Sequence, residues 1–328
     1  MELLVRPLGR TIAVEPGANL LETLRANAVP ISYSCMAGRC GVCRCKVVQG
    51  QVLSASGELR QPIIGENGQI LACQTTLTGS CAIEIPEPDE VVVHPAKILK
   101  ATVVEIRDET HDIRRLRLKT AKPLEYTPGQ YATLQFTPDH IRPYSMAGIE
   151  SDELLEFHVR LVPGGRVSPH VFETLKVGDA VRISGPLGAS YLRRRHDGPM
   201  LLVAGGTGLA PVLSILRGAV AAGMTNPIHL YFGVRTTRDL YAVDRLAELA
   251  AAHPQLTVHQ VIANGDAPAA MRRGLVTDAI AVDWSSLAGF RAYLCGAPPM
   301  VEAATILVKR LGLPIAHVYA DAFYSTGY

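Results

Sequence analysis

The stretch "YSCMAGRCGVC", residues 33–43, sets cysteines at 35, 40 and 43, and a fourth, Cys73, follows in "ILACQT" after a gap of twenty-nine residues. Thiols so grouped serve a disulfide, a zinc ion or an electron carrier. The order C-x4-C-x2-C…C is the spacing that holds a plant-type [2Fe–2S] cluster. Four thiolates offset the ferric charge, and a tight loop supplies three of them with its backbone N–H groups turned toward sulfur. Gly38 and Gly41 let that loop turn where a Cβ would clash. A zinc ribbon asks for two short cysteine pairs, whereas the second knuckle here has one cysteine. Cys40-Gly41-Val42-Cys43 alone could be a redox dithiol, but it does not precede a helix in a βαβ unit. The cluster is the leading reading, with zinc and redox thiols as its rivals. Cys45, Cys81 and Cys295 read as packing residues, as buried free cysteines usually are.

The rest of the chain is consistent with a protein of the reducing cytoplasm. Seven cysteines in 328 residues are an odd and sparse set, which argues against a secreted disulfide scaffold. Glu2, Arg6 and Arg10 interrupt the N-terminus "MELLVRPLGRTIAVEPG", so it does not read as a signal peptide. Apolar runs such as "MLLVA", 200–204, fall far short of the ~20 residues that span a bilayer, and no membrane is expected. A net charge of +2 is too small to argue for nucleic acid. Charge is uneven: residues 1–90 are net −2, 91–196 net +4 and 197–328 neutral. The basic middle segment could meet an anionic cofactor or be a solvated surface.

Three patterns follow one another along the chain. Residues 1–90 combine strand-like runs ("ELLVRP", "TIAV", "CKVVQGQV", "CAIEI") with one short helix, "NLLETLRANA", whose N-cap is Asn19. A proline- and acid-rich stretch then marks a linker, placed at 91–97. Residues 98–196 alternate short strands with glycine and proline turns, the pattern of an antiparallel barrel. From 197 to 328, apolar strands alternate with helical stretches, the sign of a doubly wound parallel α/β sheet.

Two constellations sit on this frame. In "RPYSMAG", 142–148, Arg142 can pair with a phosphate, Tyr144 can lie on a ring face and Ser145 can bond a ring edge, as a flavin would need. An ordinary turn with a packed tyrosine is the competing reading. In "VPGGRVSPHVF", Gly165 and Ser168 stand at the start of a helix as an anion cradle. In "MLLVAGGTGLAPVLSIL", Gly205, Gly206 and Gly208 let a pyrophosphate approach a helix start, with Pro211 where a third glycine is usual. In "FGVRTTRDL", Asp239 could bind a ribose hydroxyl, whereas Arg235 and Arg238 could meet a 2′-phosphate, so NADH and NADPH both stay open. "YLCGAPPM" offers a strand end and a glycine turn beside a nicotinamide, or else a small cysteine in a tight spot.

Assembled in this order, "SYSCMAGRCGVCRCKV", "LACQTTLTG", "PGQYATLQF", "RPYSMAG", "GPMLLVAGGTGLAPVLSI", "NPIHLYFGVR", "AYLCGAPPMVEA" and "DAFY" cover the whole chain. The chain resembles the ferredoxin–NADP⁺ reductase superfamily with an N-terminal plant-type ferredoxin domain. More narrowly, it is similar to the reductase components of naphthalene- and nitrotoluene-type aromatic ring-hydroxylating dioxygenase systems. The resemblance implies a multidomain protein: an α+β β-grasp ferredoxin, an antiparallel β-barrel for FAD and an α/β nucleotide domain. It implies that Cys35, Cys40, Cys43 and Cys73 hold a [2Fe–2S] cluster, and that Arg142, Tyr144, Ser145, Gly165 and Ser168 hold FAD. Gly206, Thr207, Gly208, Arg235 and the Cys295–Gly296 turn would hold the nicotinamide coenzyme. Cys295, Asp321 and Phe323 would lie beside the reacting rings, although relatives often carry Glu where Asp321 stands.

The implied function is electron transfer from NADH, or also NADPH, through FAD and the cluster to a small Rieske-type ferredoxin, which feeds a terminal oxygenase. A monomer is expected. A two-component reductase donating directly to an oxygenase or a deoxysugar dehydratase is the alternative. A non-catalytic redox sensor is a third reading, and the intact nucleotide and flavin motifs argue against it. Arg39, Arg44 and Lys46 around the cysteine loop could steer an acidic partner or be ordinary solvated side chains.

Overall fold

The computed structural model describes every residue except 28, 32, 34–37, 39–42, 61–67, 87–89, 91, 93 and 325–328. By contact density the chain divides into two compact units, Met1–Val93 and His94–Tyr328.

The first unit opens with β1 (Glu2–Arg6) and β2 (Arg10–Ala13), then helix α1 (Leu20–Ala26). It continues through β3 (Arg44–Gln49), β4 (Val52–Ser54), β5 (Leu59–Arg60), β6 (Gln69–Leu71), β7 (Thr75–Leu77) and β8 (Cys81–Glu84). Among the described residues the main sheet runs β2-β1-β8-β3-β6, and β5-β4-β7 form a small second sheet. β1 pairs parallel with β8 and antiparallel with β2, the mixed pairing of a β-grasp. Asn19 starts α1 by accepting from the Glu22 N–H at 3.2 Å. Leu20, Leu21 and Leu24 recur on one side of the helix and are fully buried with Leu3, Val5 and Ile83 of the sheet. Each such side chain contributes roughly 2 kcal/mol by leaving water. Cys45 and Cys81 lie in the same core, where burial pushes the Cys45 thiol up to about 12 and also raises that of Cys81.

The second unit begins with a barrel of β9 (Lys97–Asp108), β10 (Ile113–Thr120), β11 (Tyr131–Thr137), β12 (His140–Ser145), β13 (Leu155–Arg160) and β14 (Ala180–Leu187), with α2 (Val167–Glu173) between the last two. β9 starts inside the stretch expected to be linker. Strict alternation in β11 turns Ala132, Leu134 and Phe136 inward. The order β12-β11-β14-β9-β10-β13 nearly closes, because Met146 bridges to Phe157 and the Ala147 N–H donates to the Glu156 carbonyl at 2.8 Å. Arg142–Ser145, expected to follow a strand and a turn, come after β11 and its turn and form the end of β12. Pro143 is tolerated there because β12 ends the sheet and one side of it needs no ladder N–H.

The remaining lobe comprises β15 (Met200–Gly205), α3 (Leu209–Ala221), β16 (Ile228–Val234), α4 (Val243–Ala252), β17 (Leu256–Ile262), β18 (Arg272–Arg273), α5 (Val276–Asp283), β19 (Arg291–Gly296), α6 (Pro298–Arg310) and β20 (Val318–Ala322). All neighbours in the order β18-β17-β16-β15-β19-β20 are parallel. Met200 to Ala204 have no exposure, as expected of a central strand covered on both faces. The strand order reverses between β15 and β19, and ligands of such sheets bind beyond the carboxyl ends at that reversal. No helix of the described residues is long and apolar enough to cross a membrane.

Candidate functional sites

In the first unit two of the four motif cysteines are described. Cys43 immediately precedes β3, and Cys73 lies in the single helical turn Ala72–Gln74. The Ala72 N–H donates to the Cys43 carbonyl at 2.9 Å, so the two segments are tied together. The Cys73 thiol is lowered to about 6, first by a hydrogen bond with the Cys43 thiol, then by bonds from the Gly38 N–H and the Gln74 amide, against the opposing effect of burial. Gly38 must be glycine: its φ is +78°, and a Cβ would stand 2.8 Å from Gln74 Cγ. Asn19, which caps α1, also donates through Nδ2 to the Cys73 carbonyl at 3.1 Å. Two adjoining thiols, one favoured as thiolate by donated N–H groups, are the donor chemistry an iron–sulfur cluster requires. Cys35, Cys40, Gly41 and Arg39 lie outside the described residues.

In the second unit the flavin-type residues fall on β12. Arg142 and Tyr144 share one face of the strand by its two-residue period, and both are half-buried. The Arg142 guanidinium donates to the Tyr324 carbonyl, and burial raises the Tyr144 phenol. Ser145 ends the strand and donates through Oγ to Asp321 Oδ2 at 2.9 Å. Burial pushes the Asp321 carboxyl up to about 6, against the Ser145 hydrogen bond. Phe323 follows β20, its N–H donating to the Gly296 carbonyl at 2.8 Å. Beside α2, Ser168 Oγ accepts from the Val162 N–H at 2.9 Å, and Gly165 closes a turn onto the Val162 carbonyl. A cation and a phenol on one face, with a hydroxyl–carboxyl pair beyond them, suit an aromatic phosphate-bearing cofactor such as FAD.

The glycine turn lies at the strand reversal. Gly205 ends β15, Gly206–Gly208 form a single helical turn, and α3 starts at Leu209. A Cβ on Gly208 would meet the Cys295 carbonyl oxygen at 2.1 Å, so only glycine lets this turn press against the end of β19. Thr207 is half-buried in the same turn. Cys295 is fully buried, and burial holds its thiol well above the ordinary range, so it is a neutral thiol. Gly296, with φ +142°, lets β19 turn away over Gly205.

The Asp239 carboxylate is already engaged. Its Oδ2 accepts from the Thr236 N–H at 2.8 Å and hydroxyl at 2.9 Å, and Oδ1 faces Arg235 at 3.3 Å. Burial disfavours its charge, yet these bonds lower the carboxyl below the usual range. Arg235 also donates to Asp112 Oδ2 at 3.2 Å, which takes Arg160 Nε at 2.9 Å. His111, Asp112 and Asp239 bring one donor atom each within 4.8 Å of one another, but the two carboxylates face Arg235, which makes the group an ion-pair node.

Sequence reading did not single out Arg160 or Asp112. No spacing marks them, because only the fold brings Arg160 to the glycine turn, its Nη1 3.2 Å from where a Gly206 Cβ would stand, and Asp112 to Arg160. A second buried cluster joins barrel and nucleotide lobe. Glu156 accepts from His158 Nε2 at 3.0 Å, Arg245 at 2.6 Å and Arg117 at 3.1 Å, and His158 Nδ1 lies 3.0 Å from the Tyr241 hydroxyl. Burial opposes the charge on Glu156, but its partners outweigh it and hold the carboxyl far below the usual range.

These features define a flavin- and iron–sulfur-dependent NAD(P)H oxidoreductase, and known families agree. Residues 3–78 match a 2Fe-2S iron-sulfur cluster binding domain, 100–191 an oxidoreductase FAD-binding domain and 202–305 an oxidoreductase NAD-binding domain. The chain is 60% identical, over 100% of both chains, to the ferredoxin–NAD(P)⁺ reductase component of the naphthalene 1,2-dioxygenase system of Pseudomonas putida. It is equally similar, over the same coverage, to the reductase component of the naphthalene 1,2-dioxygenase/salicylate 5-hydroxylase systems of a Ralstonia species. Among solved structures it resembles the Amycolatopsis cytochrome P450 reductase GcoB (36% identity, TM-score 0.77, 99% of each chain) and the ferredoxin reductase in carbazole 1,9a-dioxygenase (29%, 0.69, 98% of each). The chain belongs to the ferredoxin–NAD(P)⁺ reductase components of dioxygenase systems. It carries electrons from NAD(P)H through FAD to a [2Fe–2S] cluster.

Proposed function

We propose that the chain delivers these electrons to a small Rieske-type ferredoxin, and through it to a terminal oxygenase acting on an aromatic ring. The full-length 60% identity to naphthalene-system reductases supports this acceptor. The buried thiols Cys45, Cys81 and Cys295, without a disulfide, fit the reducing cytoplasm as its place of work.

The observation that carries the site assignment is the meeting of Ser145 with Asp321 beside the ends of β15, β19 and β20. Arg142, Tyr144, Ser145, Gly165 and Ser168 hold FAD in this reading, and Gly205, Gly206, Thr207, Gly208, Arg235 and Gly296 receive the coenzyme. Asp239 acts through Arg235 rather than on the ribose, since its own oxygens are engaged. Cys35, Cys40, Cys43 and Cys73 hold the cluster. When bound, FAD would supply two-electron acceptance of one hydride from the coenzyme and the cluster one-electron transfer, chemistry that belongs to the cofactors themselves.

The chain's own residues position and protonate. Burial raises the Asp321 carboxyl to about 6, and Ser145, which donates through Oγ to its Oδ2, fixes the position of that carboxyl as a group that can hold a proton. Cys295, a neutral thiol, packs behind the glycine turn without charging it, and Phe323 is held beside it through Gly296.

The test is the anaerobic visible spectrum of purified protein before and after NADH, followed by titration with candidate acceptors. Flavin and red-shifted iron–sulfur bands, both bleached by NADH, with reoxidation by a Rieske ferredoxin, are the expected result. Reoxidation by an oxygenase alone and not by the ferredoxin would replace the acceptor with the direct one.

A further inference from the structure

We propose that Asp112, a residue of the flavin barrel, sets the discrimination between NADH and NADPH by neutralising Arg235 across the two lobes of the second unit. The proposal rests on the reading of the glycine turn as the coenzyme site.

In a doubly wound sheet the segment after the second strand faces the adenosine ribose, and an arginine there can accommodate a 2′-phosphate. Arg235 is the first residue past β16, the strand beside the glycine-turn strand β15. Its side chain is 59% exposed, so a ligand can reach it. Yet one nitrogen, Nη2, is shared between Asp112 Oδ2 at 3.2 Å and Asp239 Oδ1 at 3.3 Å. The two acids differ in kind. Asp239 belongs to the turn that follows β16, bonded twice to Thr236, and cannot leave without unmaking that turn. Asp112 comes from the connection between β9 and β10, where Thr110 supports its Oδ1 at 3.1 Å. It also holds Arg160, whose guanidinium reaches the Gly206 turn.

The consequence is electrostatic. A 2′-hydroxyl meets a neutralised arginine and loses nothing. A 2′-phosphate dianion that pairs with Arg235 must tolerate the Asp112 carboxylate on the same guanidinium, a few ångströms away. Removing one charge at such a partly exposed site changes anion affinity by about tenfold. The effect must shrink as salt rises, because the site is open to solvent.

The experiment uses the flavin- and cluster-loaded full chain and two unreactive probes, 5′-AMP and adenosine 2′,5′-bisphosphate, with binding measured by calorimetry. For Asp112→Asn we expect the ratio of the 5′-AMP Kd to the bisphosphate Kd to rise about tenfold at low salt, and kcat/KM for NADPH to rise relative to NADH in step. Asp112→Glu, which keeps the charge, should return the ratio to within about twofold of wild type. Adding Arg235→Gln to Asp112→Asn should abolish the gain. A ratio that moves less than twofold in Asp112→Asn, or a gain that survives Arg235→Gln, overturns the role of Asp112 while the coenzyme site stands. Failure of the wild-type protein to bind either probe overturns both.

Discussion

In the first unit, Cys43 and Cys73 are tied by a hydrogen bond from the residue next to one to the carbonyl of the other, within thirty residues of chain. In the second, Ser145 meets Asp321 across a separation of 176 residues, and Arg235 meets Asp112 across 123. The first arrangement is made by local turns and a capped helix, so its residue spacing is its signature. The second exists only after a barrel closes and a parallel sheet is wound, so no spacing announces it. Robustness should differ accordingly: the cysteine site should answer to small local changes, the second site to changes in packing between lobes.

The sharpest break is Cys73→Ser. It should leave the folded chain with little iron and lower reduction of a one-electron protein acceptor roughly a hundredfold, while dye reduction drawn directly from the flavin persists. Cys45→Ser should keep the iron, because that thiol is a core residue pushed up to about 12. Iron retained in Cys73→Ser would show that the spacing had been misread.

Asp321→Asn tests the long-range pair. Flavin reduction by NADH in a stopped-flow should slow by roughly ten- to a hundredfold. The sign of the pH effect follows from a carboxyl raised from 3.8 to about 6: the protonated form is lost as pH rises through about 6, so the wild-type rate should fall across that range and the variant's should not. The same raised value means that wild type loses stability relative to the variant as pH climbs from 3.8 to about 6, with no further change above it, readable in thermal unfolding. A wild-type rate without an inflection there would remove Asp321 from proton handling.

Gly208→Ala probes packing at the strand reversal. A Cβ 2.1 Å from the Cys295 carbonyl cannot be accommodated by a side-chain shift, so we expect about 2 kcal/mol of destabilisation by denaturant unfolding, with a raised KM for NADH. The smallest effect is expected for Asn19→Ala. Loss of the helix cap costs about 1 kcal/mol. Because Asn19 also bonds the Cys73 carbonyl, cluster loss under chelator should quicken in the variant, which a local site predicts and a purely structural cap does not.

The sequence by itself determined the three patterns, and it did so where the physics is local. The two-residue period of "YATLQFT", the apolar run "MLLVA" and the cap before "LLETL" each reflect a backbone geometry that neighbouring residues dictate. The cysteine spacing and the glycines of "GGTG" were legible for the same reason. Only the tertiary structure decided that Arg142–Ser145 belong to an edge strand, because edge position, not local propensity, is what admits Pro143. It alone spent the carboxylate oxygens of Asp239 on Thr236 and Arg235, and it alone brought Arg160 to the glycine turn and Asp112 to Arg160 and Arg235. Charges separated by a hundred residues become partners only when folding removes the water between them and fixes their distance. A linear pattern carries neither of those quantities.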